Sequence, residues 1–183
     1  MTSAPINSTL SRLSRAAAIC LLFVLVLPVC AALALALPLT SVFALIGSTL
    51  LIEYGAAPVG IALGLPPAYV FFALTSIALG IVLALFGIFD TLGEHSERVK
   101  QFLKTAKLRA DSSRILSHYG IYGLVPVVLV FGFYFCPPIA WVLGWDRKRS
   151  IALILAGYCI ASAALILAAA GILAIIFPQV NSP

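Results

Sequence analysis

Apolar residues fill most of this chain in long blocks, which are separated by short polar or proline-rich breaks. A block of about 20 residues is long enough to cross a bilayer as a helix, whereas one of about 10 to 14 is too short for a full crossing. The pattern therefore predicts an all-α integral membrane protein with three full transmembrane helices and two shorter, interrupted segments. The full spans are predicted at 16–37, 66–89 and 150–177, and the interrupted segments at 39–65 and 118–145.

The two interrupted segments are predicted to be re-entrant hairpins, because both are broken by proline and glycine. The first carries Glu53, Pro58 and Gly64, and the second carries Gly132 shortly before the Pro137–Pro138 pair. Proline removes a backbone donor and glycine frees the backbone, so neither belongs in an uninterrupted membrane helix. Backbone that leaves the helix at membrane depth needs protein or a water-filled cavity around its polar groups. A hairpin that enters and leaves on the same side accommodates both the short arms and the breaks.

The positive charges orient these segments. Of the eleven Lys and Arg residues, two precede the first span, six lie between Arg98 and Arg114, and three lie at 147–149. Cytoplasmic loops carry the excess of Lys and Arg, so the tail 1–15 and the segment 90–117 are predicted to be cytoplasmic and the uncharged C-terminus to lie outside. Each half is then a hairpin followed by a span, entered from opposite sides. Many transporters use such an inverted repeat to build a midplane site from broken helices.

A short sequence echo between the halves offers a hint of the same repeat. Glycine, proline and glycine recur at the same spacing, and a Pro-Pro pair follows each set. Because the chain contains 13 glycines and 11 prolines, such a match also arises by chance. The two sets are Gly55, Pro58 and Gly64 in the first half, and Gly123, Pro126 and Gly132 in the second.

Composition supports a membrane protein and excludes several other classes. The chain is 63% hydrophobic and 9% charged, whereas soluble domains carry about 25% charged residues, so we expect a single membrane domain. The net charge of +5 does not indicate nucleic-acid binding, because few aromatic residues accompany the basic ones. The four cysteines lie in apolar segments without metal-ligand spacing and are predicted to be small buried hydrophobes. We expect no cofactor and no enzyme activity, since no catalytic set of side chains falls in the apolar regions.

The segment 90–117 is the one substantial polar stretch, and its spacing of apolar residues predicts a cytoplasmic amphipathic helix. Lys100, Lys104 and Lys107 share a face distinct from the apolar one. Such a helix lies on the bilayer surface with its lysines among anionic lipid head groups. Two interpretations stay open: the lysines only orient and anchor the chain, or they contact the phosphate of a lipid substrate.

Glu53 is the candidate functional residue, because it is the only acidic residue between the N-terminus and Asp90. A carboxylate inside a membrane is costly, and one beside a broken helix indicates a functional site. Low dielectric at that depth disfavours the charged form, so Glu53 is suited to gain and lose a proton. The alternative is that Glu53 only accepts hydrogen bonds from free backbone donors at the turn. The residues expected to line a transport path with it are Tyr54, Gly55, Pro58, Gly64, Gly132 and Tyr134.

Two sequence blocks follow one another in the chain: EYGAAPVGIALGLP starts at Glu53, and GFYFCPPIAWVLGWDRKRS starts at Gly132. Together they resemble the small multidrug export family, a distant relative of the DedA-type membrane proteins. The resemblance covers 52–171 and implies membrane transport; the DedA-type relatives are associated with moving polyprenyl-phosphate lipids across bilayers. Many members carry an arginine shortly after the acidic residue, where this chain has Tyr-Gly. We therefore expect Arg147, or else Arg114, to act with Glu53 in coupling.

The sequence thus predicts a small transporter of the cell membrane, with Glu53 as the group that binds a proton or a cation. Its substrate is expected to be a hydrophobic cation, which a carboxylate attracts, or a phosphate-headed lipid, which the basic segments attract. The alternative is a non-transporting membrane subunit, in which Glu53 and the glycines serve packing. Membrane lipid is one expected partner. Small residues on the last span let another helix approach closely, either 66–89 or a helix of a second copy in a homodimer. They are Gly157, Ala161, Ala164, Ala168 and Gly171.

Overall fold

The computed structural model describes residues 4–95 and 120–176, and all regular elements in those two ranges are helical. The all-α prediction is therefore confirmed for this part of the chain. A π-helix lies at Leu22–Val26, and 3₁₀ segments lie at Glu53–Ala56 and Gly120–Gly123. The α-helices are α1 Ala4–Leu21, α2 Leu27–Ala34, α3 Leu39–Ile52, α4 Ala57–Ala62, α5 Pro67–His95, α6 Leu124–Phe131, α7 Cys136–Val142 and α8 Arg147–Ile176.

Four stretches of the described chain are long and apolar enough to cross a membrane, so this is a multi-pass membrane protein. Three of them coincide with the predicted full spans, and the fourth coincides with the first interrupted segment, which is broken at Glu53. The first span starts before its predicted position, because the polar residues ahead of it continue the same helix from Ala4. The four stretches are Leu10–Ala34, Leu39–Ala62, Pro67–Thr91 and Arg147–Gly171.

A proline explains the π-helical turn inside the first span. Pro28 follows this turn and has no N–H to donate, so the regular ladder of hydrogen bonds cannot pass through it. The Phe23 carbonyl, left without that donor, accepts the Ser76 hydroxyl at 2.8 Å instead. The Tyr69 hydroxyl donates to the Pro28 carbonyl at 2.9 Å. Two hydroxyls of α5 therefore hold the irregular part of the first span in place.

α5 lies at the centre of the helix packing and is the most buried of the four candidate spans. The first span packs against α5 at two glycines of α5, which have no side chain to keep the helices apart. A Cβ on Gly80 would meet the Phe23 Cβ at 2.6 Å, and one on Gly87 would meet the Ala16 Cβ at 3.2 Å. Small residues at these points allow the two backbones to approach closely, which is how helices pack in membranes.

The predicted stripe of small residues on the last span splits into two parts. Gly157 and Ala161 are buried, and a Cβ on Gly157 would meet the Val125 carbonyl oxygen of α6 at 3.3 Å. Ala164 and Ala168 are exposed on the chain. The expectation that Ala164 packs against α5 is therefore wrong, since α8 turns a different face towards that helix. Packing of the exposed part against a second copy stays a prediction.

α3 and α4 lie side by side, because the chain reverses at Glu53. A Cβ on Gly60 in α4 would meet the Leu45 side chain of α3 at 3.0 Å. In one continuous helix those two residues would lie about 22 Å apart. The proline and glycine break thus produces a reversal of the chain, and α5 follows with its Val70 side chain beside the same glycine.

The order of helix, break, short helix, glycine turn and long helix occurs twice. The breaks lie at Glu53 and Gly132, and the glycine turns lie at Gly64 and Gly144. Both glycine turns have positive φ, 76° and 67°, and both close the short helix with the same pair of backbone hydrogen bonds. Glu53 therefore corresponds to Gly132, and Gly64 to Gly144. The predicted echo aligned Gly64 with Gly132 and was wrong, because Gly64 ends a short helix whereas Gly132 ends the helix before the break.

The two long helices extend beyond their predicted bounds. α5 continues to His95, past the predicted end at 89, because a polar residue ends an apolar run without ending the helix. α8 begins at Arg147 rather than at 150. The Asp146 carboxylate accepts the Arg149 N–H at 3.0 Å, which caps the helix at that earlier point.

Candidate functional site

Two helix ends meet at the centre of the candidate site, the C-terminal end of α3 at Glu53 and that of α6 at Gly132. Both residues have positive φ values, 56° for Glu53 and 80° for Gly132. Glycine adopts such a backbone without strain, whereas a glutamate does so at a cost. Ala36, just past the end of α2, is the other described non-glycine residue with a positive φ.

The Glu53 carboxylate reaches from the first break to the second. Its Oε2 accepts the backbone N–H of Phe133 at 2.9 Å, and the Tyr134 N–H also faces it. A Cβ on Gly132 would overlap both carboxylate oxygens, so this glycine is required for its missing side chain as well as for its φ. Glu53 therefore accepts a backbone hydrogen bond, which was the alternative to proton exchange in the sequence analysis. The donor, however, lies in the other interrupted segment and not at the turn of Glu53 itself. Because the acceptor is a carboxylate, this bond is stronger than one between neutral groups.

Two tyrosines link the same breaks in opposite directions. Tyr54 donates its hydroxyl to the Leu129 carbonyl of α6 at 2.9 Å, and Tyr134 donates its hydroxyl to the Leu50 carbonyl of α3 at 2.9 Å. Each acceptor lies in the last turn before a break, where carbonyls have no partner within their own helix. The exchange is reciprocal, so the two breaks are held together as one unit.

Aromatic rings form the buried side of the site. The Phe133 and Tyr158 rings meet edge to face, with centroids 5.1 Å apart and an angle of 88° between their planes. Tyr54 also contacts Tyr158, at 6.1 Å between centroids, and Tyr134 lies 4.4 Å from Phe133. Phe133 and Tyr158 have no exposed surface, whereas Glu53, Tyr54 and Tyr134 are partly exposed. Fully buried aromatic rings therefore pack around the carboxylate residue on the protein side, while Glu53 itself keeps part of its surface exposed.

Arg147 does not lie beside Glu53. Its guanidinium pairs with the Asp90 carboxylate at 2.7 Å and stands 5.8 Å from the centroid of the Phe86 ring. Within residues 4–95 and 120–176, Glu53 has no basic partner. The expectation that Arg147 acts directly on Glu53 is not met, because the start of α8 lies against the end of α5 instead. Arg114, the other candidate, falls outside the described residues.

The structure brings together only part of the predicted path. Gly55 follows the break, but a Cβ there would meet the Ile52 side chain at 3.1 Å, so it faces back towards α3. Pro58 lies in the first turn of α4, and Gly64 lies in the exposed turn at its far end. The predicted residues found at the site are Glu53, Tyr54, Gly132 and Tyr134. The predicted head-group contacts, Lys100, Lys104 and Lys107, lie outside the described residues.

Two residues of the site were absent from the sequence prediction. Phe133 contributes its backbone N–H, which every residue type except proline carries, so no pattern in the sequence could single it out. Tyr158 contributes a buried ring from α8. A signal for it did exist, since Tyr158 and Ser162 place two hydroxyls four residues apart on an otherwise apolar span.

The geometry first defines a class: a multi-pass membrane protein in which one carboxylate joins two helix breaks. A family model described as "Putative small multi-drug export protein" matches residues 53–164, which is more than half of the chain. The chain belongs to that family, as its two sequence blocks predicted. The match begins at Glu53 and includes both breaks. Comparisons with curated proteins and with solved structures found no match. Similarity to DedA-type proteins stays a prediction.

Proposed function

We propose that this protein exports small hydrophobic cations across the membrane, and that Glu53 binds the cation and a proton in turn. One observation carries the proposal: the Glu53 carboxylate lies half-buried between two helix breaks with no basic partner among the described residues. A carboxylate in that setting is costly and is a functional site by default. Broken helices that meet around a charged group are also the usual construction of transporter sites.

A cation fits this site better than a phosphate does. The charged group at the centre is negative, and the rings beside it belong to Tyr54, Phe133, Tyr134 and Tyr158. Aromatic faces attract cations, and the attraction grows when water is excluded. A phosphate head group would instead need arginine or lysine close to it, and Arg147 is occupied by Asp90. We therefore place hydrophobic cations ahead of phosphate-headed lipids as the substrate class.

The proposal includes an arrangement in the membrane. The two units of helix, break and short helix would be re-entrant hairpins that enter from opposite faces, so that Glu53 and Gly132 meet near the midplane. The reversal at Glu53 and the repeated order of elements support this inverted repeat. The basic residues before the first span and at 147–149 would lie in the cytoplasm, with the C-terminus outside.

Exchange at one carboxylate gives the transport cycle. The ionised Glu53 would bind a cation that enters from the cytoplasm. A proton from outside would then neutralise the carboxylate, and the cation would leave on that side. Return of Glu53 to the cytoplasmic side would release the proton there and restore the charged form. Membrane lipid surrounds the protein during this cycle and serves as the reservoir for hydrophobic substrates.

A second candidate, a non-transporting membrane subunit, has its own supporting observation. Oε2 of Glu53 accepts the Phe133 N–H, so the carboxylate also joins the two segments mechanically. In this case Glu53 would hold the fold together and would not need to change its charge.

The variant Glu53→Gln separates the two functions, because an amide oxygen can still accept the Phe133 N–H but cannot exchange a proton. Purified protein is reconstituted in liposomes, and ethidium accumulation is followed under an imposed pH gradient. Asp90→Asn is the matched control, since it makes the same chemical change at a more exposed carboxylate that pairs with Arg147 instead of joining the breaks. We expect Glu53→Gln to abolish accumulation driven by the pH gradient and Asp90→Asn to retain it. Full activity in Glu53→Gln would show that this carboxylate only holds the two breaks together, and absence of accumulation by the wild type would favour the non-transporting subunit.

A further inference from the structure

Tyr158 packs against two residues next to the Glu53 carboxylate. Its ring contacts Tyr54, the neighbour of Glu53 in the chain, and Phe133, which donates its backbone N–H to Glu53. Tyr158 has no exposed surface, and the carboxylate charge acts on its phenol. In the described part of α8, Tyr158 is the aromatic residue whose ring meets both Tyr54 and Phe133.

The hydroxyl of Tyr158 is completely buried and makes no hydrogen bond of ordinary geometry. The Ser162 hydroxyl, one helical turn further along the same face, is buried too and acts on the phenol, but the two do not form a well-aligned hydrogen bond with each other. The other buried or half-buried tyrosines of the described chain behave differently, because Tyr54, Tyr69 and Tyr134 each donate to a carbonyl at 2.9 Å. A buried hydroxyl without a partner costs stability, and phenylalanine would fill the same space without that cost.

We propose that the Tyr158 hydroxyl is the second hydrogen-bonding position of the Glu53 carboxyl group, taken when that group leaves the Phe133 N–H. When Glu53 is ionised, Tyr158 donates its O–H to the carboxylate. When Glu53 is protonated, the phenol oxygen accepts the carboxyl O–H, and the Ser162 oxygen accepts the phenol hydrogen. Both hydroxyls keep their own hydrogens throughout, so the only proton gained or lost is that of Glu53. The inference rests on the proposed function, which requires Glu53 to change its protonation state and its partner.

The surroundings of Tyr158 favour Glu53 as this partner. Within residues 4–95 and 120–176, the other titratable side chains near the phenol or the carboxylate are Tyr54, Tyr134, Cys136 and Cys159. Phenols and thiols are neutral at pH 7 in the ordinary case, and the hydroxyls of Tyr54 and Tyr134 already have acceptors. Glu53 is the one carboxylate in this group, and carboxylates form the stronger, charge-assisted hydrogen bonds. Tyr158 is thus a positioning residue, which acts through Glu53.

Two phenylalanine variants test this role. Tyr158→Phe removes a buried hydroxyl that makes no well-aligned hydrogen bond, so its thermal unfolding temperature should stay the same or rise. Its pH-driven ethidium accumulation should fall about tenfold or more, because Glu53 loses one of its two positions. Tyr69→Phe is the matched control: it removes a hydroxyl that has a partner, so it should lower the unfolding temperature and keep the transport rate. Ser150→Ala is a second control, since Ser150 is also buried and unpartnered on α8 but lies about 12 Å away along the helix axis.

Infrared spectroscopy detects the proposed hydrogen bond between the Glu53 carboxyl group and the Tyr158 hydroxyl independently of any transport assay. The C=O stretching band of protonated Glu53 is identified in a pH titration by its absence in Glu53→Gln. In Tyr158→Phe this band should move to higher frequency, because the carboxyl group has lost a hydrogen bond, and in Tyr69→Phe and Ser150→Ala it should not move. An unmoved band in Tyr158→Phe, or full transport by that variant, overturns the inference. A different outcome separates the two proposals: the wild type accumulates no ethidium, but the C=O band of Glu53 still moves in Tyr158→Phe. In that case the proposed export function is wrong, and the hydrogen bond between Glu53 and the Tyr158 hydroxyl is still supported.

Discussion

The Glu53 carboxylate occupies the space that a side chain on Gly132 would fill. The two residues hold corresponding positions at the ends of α3 and α6, and both have positive φ. One member of the pair supplies a carboxylate, and the other supplies the room for it. The contact between the two breaks therefore depends on the pair rather than on either residue alone.

Gly132→Ala should destabilise the protein more than Gly64→Ala. Both glycines have positive φ, 80° and 76°, which costs alanine about 1–2 kcal/mol. A Cβ on Gly64 meets nothing within 4 Å, whereas one on Gly132 would overlap the carboxylate. Unfolding in mixed detergent micelles should therefore show a loss of about 1 kcal/mol for Gly64→Ala and clearly more for Gly132→Ala.

The double variant Gly132→Ala with Glu53→Ala isolates the contact between the two side chains. Removal of the carboxylate makes room for the new methyl group, so the two losses should be less than additive. Strict additivity of the two free-energy changes would show that the overlap does not govern Gly132→Ala.

The two reciprocal tyrosines should contribute similar amounts to stability. Tyr54→Phe and Tyr134→Phe each remove one hydroxyl from a helix-end carbonyl, which typically costs about 1 kcal/mol. Tyr122→Phe serves as the control, because Tyr122 is 72% exposed. Thermal unfolding in detergent should show lower midpoints for the first two variants and an unchanged midpoint for the control. A difference of more than twofold between Tyr54→Phe and Tyr134→Phe would contradict the equivalence of the two breaks.

The ion pair of Arg147 with Asp90 should be weak and dispensable. Both side chains are nearly half exposed, at 48% and 42%, so solvent screens the attraction. Arg147→Gln should cost about 0.5 kcal/mol or less, and its pH-driven transport should equal that of the wild type. Loss of transport in Arg147→Gln with normal stability would restore the predicted coupling role of this arginine.

Cysteine labelling tests the proposed orientation. In a variant without the four native cysteines, Lys148→Cys should react with an impermeant maleimide only from the cytoplasmic side. Ala68→Cys, at the start of α5, should react only from outside. Both positions are exposed, whereas Ser150 is buried and would report poorly. Reaction of both positions from the same side would exclude the opposed arrangement of the two halves.

The sequence predicted the elements of this fold better than their contacts. The break at Glu53 was predictable because proline and glycine act on the backbone locally. The partner of Glu53 was not, since the Phe133 N–H lies 80 residues away and every residue but proline carries such a donor. The position of Arg147 was likewise set by its contact with Asp90, which depends on where α5 ends and α8 begins. Charge patterns locate a residue relative to the membrane but do not choose its neighbour.

In the proposed cycle, a carboxylate in one half and a glycine in the other would set the stoichiometry of exchange. With Glu53 as the one carboxylate at the junction among the described residues, the proposed cycle exchanges one proton for one monovalent cation, and no net charge crosses the membrane. The membrane voltage then neither helps nor opposes export. The chemical gradient of protons is the whole driving force, so one pH unit can sustain a concentration ratio of about tenfold for the cation and no more.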